Sequence, residues 1–229
     1  MPARWVKQGM IPRGRIPLAT SGPCAYSAVM RITGGVLRSR EVRVPKGDRV
    51  RPTQDRVREA LFSALAPRLS GARFLDLFAG SGAVGLEAWS RGAGYVGWVE
   101  KDPRHYEVLR GNIAGLCGAE TGGNEELGWR PSRMDVFRFL QGSPPARPYD
   151  MVFADPPYDR SGREAWGSRL LGALGAANWL APDGVFVLEQ ASDEAAAVDS
   201  RWIGRPPRLY GGSRLTVFER KRGPVEGGS

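Results

Sequence analysis

Asp155-Pro156-Pro157-Tyr158 is the stretch where residue type and spacing come closest to a chemical apparatus. Two successive prolines fix φ and set a rigid, extended loop. The Pro156 carbonyl is thereby held beside the Asp155 carboxylate. Together they offer acceptors for both hydrogens of an exocyclic amino group, and Tyr158 offers an aromatic face to the ring that carries it. A purine amino group is a weak nucleophile because its lone pair is delocalised into the ring. Accepting both hydrogens pulls the nitrogen towards sp³ and frees that pair, so that in-line positioning and electrostatics do the rest. No strong base is needed beforehand. The nitrogen turns acidic only after it gains its new group, and Asp155 or water can then take the proton. Other apparatus is poorly supplied. A Ser-His-Asp set would have to be built on the sole histidine, His105, which reads as an exposed helix-start residue. Cys24 and Cys117 lie far apart with no CxxC or histidine cluster, so neither a disulfide scaffold nor a metal site is expected.

A second constellation lies upstream. Gly80-Ser81-Gly82-Ala83-Val84-Gly85 spells GxGxxG between an apolar run and a helical pattern, and its glycines let backbone approach a ligand. The pattern suits a dinucleotide and S-adenosylmethionine (SAM) equally. Glu100, roughly 20 residues on, can accept both hydroxyls of a ribose, which the two cofactors share. Two further acids favour SAM. Asp76, just before the turn, suits an ammonium or a cationic sulfonium and would repel a pyrophosphate. Asp135 is placed to accept a hydrogen bond from an adenine amino group. Three acids along one edge make a poor phosphate site and a good site for a cation.

Strands must deliver these residues to one edge. The sequence predicts strands over 74–78, 95–100, 132–134, 150–154 and 185–188, each followed by a ligand-facing turn or a helix. Helices are expected from Gly82 to Arg91, from Pro103 to Leu116, just after Asp135 and within 162–180. Residues 118–131 read as a polar, glycine-rich loop. Arg208-Leu209-Tyr210, a Gly211-Gly212 turn and Leu215–Phe218 make a closing hairpin, so the last strand runs antiparallel. Before the alternation, 30–33 and 42–44 read as a small hairpin. A helix with Val57, Ala60, Leu61, Ala64 and Leu65 on one face follows, N-capped by Thr53 and ended near Pro67. The expected class is α/β, with a mostly parallel sheet and one reversed strand. Trp89, Trp98 and Cys117 are expected to pack rather than to react.

The chain's 229 residues allow one full domain plus an appendage. Its 41% hydrophobic and 25% charged residues exclude a wholly disordered chain. No apolar run reaches the ~18 residues of a membrane span, so no membrane partner is expected. The charge of +9 is localised: residues 30–58 hold nine bases and three acids, residues 1–29 hold four bases and no acid, and the remainder is close to neutral. A cationic front attracts a polyanion, most often nucleic acid; the alternative is a solvated basic face with no partner. Residues 1–29, interrupted by Pro12, Pro17 and Pro23, read as a disordered extension without the apolar stretch of a secretory signal. Cytoplasmic placement is the expectation; the acid-free, arginine-bearing front leaves organelle import open.

MRITGGVLRSREVRVP, RPTQDRVREALFSAL, FLDLFAGSGAVGLEAWSRGA, WVEKD, DPPY and LYGGSRLTVFER together resemble the RsmD family, the 16S rRNA guanine-N2 methyltransferases of the SAM-dependent class I superfamily. The resemblance runs from Met30 to Arg222, and the RPTxDRVRE block is its most specific part. It implies a Rossmann-like, seven-stranded methyltransferase domain over 53–222, a basic hairpin arm over 30–52, and disordered ends at 1–29 and 223–229. It implies SAM as cofactor, with Asp76, Phe78, Gly80, Ser81, Gly82, Glu100, Lys101, Asp135 and Val136 as its binding residues. It further implies catalysis at Asp155, Pro156, Pro157 and Tyr158, and action on 16S rRNA or the small ribosomal subunit; a monomer is the default expectation. Arg31, Arg38, Arg40, Arg43, Arg51, Arg56 and Arg58 would grip phosphates, which orient RNA without reading its sequence. The hairpin is expected to be separable, so that deleting 30–50 weakens RNA binding and spares cofactor binding. DPPY also occurs in adenine-N6 methyltransferases, so an adenine-N6 enzyme stays open, as does a non-catalytic rRNA-binding assembly factor. A nicotinamide dehydrogenase is disfavoured by Asp76.

Overall fold

A computed structural model of the chain describes residues 26–45, 52–118, 128–159 and 161–221. The expected disordered ends are 1–29 and 223–229; residues 1–25 and 222–229, and Arg51, lie outside the described residues, while 26–29 form part of a strand. The elements in order are β1 (Tyr26–Arg31), β2 (Glu41–Pro45), α1 (Pro52–Leu69), β3 (Arg73–Leu77), α2 (Ala83–Ser90), β4 (Tyr95–Glu100), α3 (Pro103–Cys117), β5 (Trp129–Arg133), α4 (Val136–Leu140), β6 (Tyr149–Ala154), α5 (Trp166–Ala176), β7 (Leu180–Ala191), β8 (Trp202–Gly204), β9 (Arg208–Tyr210) and β10 (Ser213–Arg220).

The main sheet has eight strands in the order β5-β4-β3-β6-β7-β10-β8, with β9 paired to β10. Strands β5, β4, β3, β6 and β7 are parallel, and β10 is antiparallel to β7. This is the Rossmann-like architecture expected, with one strand more than the seven anticipated. The addition is β8, a three-residue edge strand too short to show alternation. Strand β5 begins at Trp129, three residues before the expected start, inside the stretch read as loop. Strand β7 extends well past both ends of the predicted 185–188.

Period-two alternation divides the buried strand residues between two layers. Phe74, Val96, Trp98, Met151, Phe153, Val185 and Val187 face α1, α2 and α3. Leu75, Leu77, Val99, Val152, Ala154, Phe186 and Leu188 face α4 and α5. The third glycine of the GxGxxG run is a packing residue. A Cβ on Gly85 would lie 2.1 Å from Trp98 Nε1, so only glycine lets α2 close onto β4. Cys117 ends α3, and burial pushes its thiol up to about 12, as suits a packing residue.

The hairpin of β1 and β2 differs from the projecting arm expected. It begins at Tyr26, and Ile32, Leu37 and Val42 enter the core shared by α1, α2 and α3. Glu87 of α2, fully buried, accepts hydrogen bonds from Thr33 N (2.8 Å), Thr33 Oγ1 (2.7 Å) and Gly34 N (2.8 Å). It also pairs with Arg91 (2.7 Å) and Arg58 (3.3 Å). Leu37 N donates to Ser90 Oγ at 2.8 Å. Asn112 of α3 accepts from Arg43 N, and its amide donates both to Arg43 O and to Ser81 O in the glycine turn, all at 2.9 Å. One side chain thus fastens the hairpin to the turn after β3.

Candidate active site

Strand order reverses at β3, with the chain running outward through β4 and β5 and then returning to β6 and β7. The carboxyl ends beside such a switch point open a crevice. Here it is a cleft of about 790 Å³. The register places the acids along it. Asp76 pairs with Trp98 on one side, two residues before Glu100, and with Phe153 on the other, two residues before Asp155. Ala154 in turn pairs with Leu188, which sets Asp155 level with Glu189. All four carboxylates line the cleft.

The turn after β3 is built from three left-handed residues, Phe78 (φ 60°), Gly80 (φ 53°) and Gly82 (φ 79°). A bulky side chain at positive φ is strained, and Phe78 is held there by its surroundings, packing edge-on against Trp166 at 5.8 Å. A Cβ on Gly80 would point into open space, so its bare backbone faces the cleft. Glu100 shapes the same turn: Oε2 accepts from Gly80 N (2.8 Å) and Oε1 from Asp102 N (2.7 Å). Asp76 is 1% exposed and accepts from Gly85 N at 2.9 Å. Burial holds its carboxyl well above the ordinary carboxylate range; the Gly85 hydrogen bond opposes this and Glu100 adds to it.

Asp155 is exposed at the cleft, beside buried Pro156. Crowding by surrounding protein, then the charges of Glu189, Asp76 and Glu194, hold its carboxyl well above the ordinary range. Tyr158 is 46% exposed, and its hydroxyl lies 3.0 Å from Ser213 Oγ. Burial pushes the Glu189 carboxyl up, and Ser213 opposes that push. Asp159, the next residue, donates its N–H to Glu194 at 2.8 Å and accepts from Glu164 N and Ala165 N, which anchors the loop leading to α5.

Of the residues expected to hold a cofactor, Asp76, Phe78, Gly80, Ser81, Glu100, Lys101 and Val136 line the cleft. Gly82 lies beneath it, where a Cβ would strike Leu109. Asp135 is turned to local duty: its Oδ1 caps α4 through Phe137 N (2.9 Å) and Arg138 N (3.2 Å). Asp155, Pro156, Pro157 and Tyr158 all line the cleft. Arg31, Arg38, Arg40 and Arg43 lie on the hairpin, with Arg31 and Arg38 exposed and Arg31 paired to Glu41 at 2.9 Å. Arg58 is corrected from a surface grip to a buried tie. It is 3% exposed, bound to Glu87, and donates to Arg31 O at 2.6 Å, so it has no outward face for a phosphate. The side chain of Arg56 lies outside the described residues. Glu189 and Ser213 were missed. The signal for Glu189 was present, a carboxylate closing the apolar run Val185–Leu188 at the same edge as the other acids.

The family described as Conserved hypothetical protein 95 matches residues 30–219. The Ribosomal RNA small subunit methyltransferase D of Escherichia coli is 34% identical over 196 residues, covering 85% of this chain and 92% of its own length. That of Haemophilus influenzae is 33% identical over 174 residues, covering 76% of this chain and 84% of its own. Among solved structures, the Escherichia coli protein yhhF superposes with a TM-score of 0.71 at 33% identity, covering 85% of this chain and 99% of that one.

Proposed function

The chain belongs to the family of the small-subunit ribosomal RNA methyltransferases D, and from that membership and the cleft we infer its activity. It is a SAM-dependent methyltransferase that modifies the exocyclic N2 amine of a guanine in 16S rRNA. The observation that carries this reading is the row Glu100, Asp76, Asp155 and Glu189 along one sheet edge, beside a proline-braced amine clamp.

The donor set fits SAM. Asp76 lies where an ammonium or sulfonium would be drawn, and a pyrophosphate would meet three carboxylates. Glu100 spends one lone pair of each oxygen on backbone N–H groups and keeps others for ribose hydroxyls. The bare backbone at Gly80 gives close approach, and Val136 walls the adenine side. Bound SAM supplies an electrophilic methyl on a positively charged sulfur. Asp155 and the Pro156 carbonyl accept the two amine hydrogens and aim the lone pair, while Tyr158 braces the ring. After transfer Asp155, whose crowded carboxyl favours the protonated form, takes the surplus proton.

Arg31, Arg38, Arg40 and Arg43 are the proposed phosphate contacts. The chain acts as a monomer, since one copy supplies every group named, and it works in the cytoplasm on the small subunit or its rRNA. No helix among the described residues is long and apolar enough to cross a membrane. Labelled-methyl transfer to undermethylated small subunits, followed by nucleoside analysis, tests the reading. N2-methylguanine in the 16S rRNA is expected; N6-methyladenine, or no transfer, overturns it.

A further inference from the structure

Glu189 is a buried acid that the clamp chemistry does not use. It is 8% exposed, in the same strand as Val185–Leu188, which are 0–3% exposed. A carboxylate in such a place is costly unless something donates to it. Ser213 lies near enough to oppose the upward push that burial gives the Glu189 carboxyl, and Ser213 Oγ is 3.0 Å from the Tyr158 hydroxyl. Ser213 has one proton. If that proton goes to Glu189, Tyr158 must be the donor to Ser213, so the hydroxyls form a chain ending on the carboxylate. That chain leaves Glu189 further lone pairs beside Asp155, with which it is level across β6 and β7, and both residues line the cleft.

Two acids side by side suit only one of the bases that carry an amino group. In adenine and cytosine the amino group is flanked by a ring nitrogen with a bare lone pair. In guanine it lies between N3, with a bare lone pair, and N1–H, so one flank alone offers a second donor beside the amine. Building on the methyl-transfer reading, we propose that Glu189 is the specificity-determining residue of the acceptor site, accepting guanine N1–H while Asp155 accepts a hydrogen of the neighbouring amine. A base with a bare ring nitrogen there is repelled by the carboxylate and leaves it unpaired, and such mismatches give large discrimination.

The test uses small subunits reconstituted with 2-aminopurine at the mapped target guanine. This analogue keeps the 2-amino group and lacks N1–H. The wild-type chain should lose at least ~10²-fold in kcat/KM on the analogue. Glu189→Gln, whose amide can donate to a bare nitrogen, should lose activity on guanine and shrink the discrimination to about tenfold or less. Glu189→Asp should keep the preference for guanine at lower kcat. Equal wild-type rates on guanine and analogue, preference for the analogue, or full discrimination in Glu189→Gln overturns the assignment while the methyltransferase reading stands. No wild-type transfer to guanine overturns both. If Glu189→Gln does not fold, the wild-type and Glu189→Asp arms still decide.

Discussion

Two regions of this molecule bury charge in opposite ways. At the dock between the hairpin and α2, Glu87 is surrounded by donors: two arginines, two backbone N–H groups and a threonine hydroxyl. At the carboxyl edge of the sheet, buried Asp76 and Glu189 sit beside exposed Asp155, and among the described residues no arginine or lysine offsets the upward push on any of the three carboxyls. The dock is saturated, so its charges specify a fit. Along the edge the acids outnumber the bases Arg58 and Lys101 that line the same cleft, so the acids oppose the fold and favour a cationic ligand and an amine. Residues of one chemical class thus serve structure where they are matched and function where they are not.

Removing Glu87 attacks the matched side most sharply. Glu87→Ala removes the buried carboxylate that pairs with Arg58 and Arg91 and should cost about 3–5 kcal/mol of stability, read as a drop in the denaturant midpoint. An unchanged midpoint would mean the dock is not matched as described.

Asp155→Asn attacks the other side and should do the reverse to stability. The folded chain holds the Asp155 proton more tightly than the unfolded chain does. Stability therefore falls as pH rises from the ordinary carboxylate pKa to the raised one, and stays lower above it. The amide has no charge to lose, so this variant should melt higher at neutral pH, with the gain fading in acid. Its kcat should fall by about 10²–10³-fold. Lower melting and full activity would each contradict the contrast.

Ligand binding sharpens the comparison further. A cation favours ionised Asp76, so SAM should bind more weakly as pH falls through the raised pKa, and binding there should release a proton. Calorimetry in buffers of different ionisation enthalpy reads the proton directly, and pH-independent binding would exclude the role. The smallest effect is expected at the exposed rim. Arg38→Ala should weaken RNA binding a few-fold and lower its salt slope by about one, with SAM binding unaltered.

The sequence made the α/β alternation legible because β3, β4, β6 and the middle of β7 are apolar runs bounded by glycine, proline or an acid, whereas β5, Trp-Arg-Pro-Ser-Arg, is largely polar and reads partly as loop. The glycine turn and Asp155-Pro156-Pro157-Tyr158 were legible for the same reason, since local spacing defines them. What the sequence hid depends on partners distant along the chain. Arg58 reads as one more base in a cationic run, yet it meets Glu87, an acid in the otherwise apolar helix Ala83–Ser90. Glu189 stayed hidden because the predicted strand stopped one residue short of it, and Ser213 because a glycine turn masks its place opposite Ala191. Asp135 was legible as an acid at a strand end, but its capping of α4 depends on backbone direction.

Asn112 has a consequence for damaged molecules. Its one carboxamide grips both the hairpin backbone and Ser81, so losing the front of the chain also unmoors the turn that must cradle the cofactor. A copy clipped between residues 30 and 50 should therefore be silent rather than indiscriminate: it forfeits catalysis along with its hold on RNA, and cannot persist as a methylating fragment that has lost its aim.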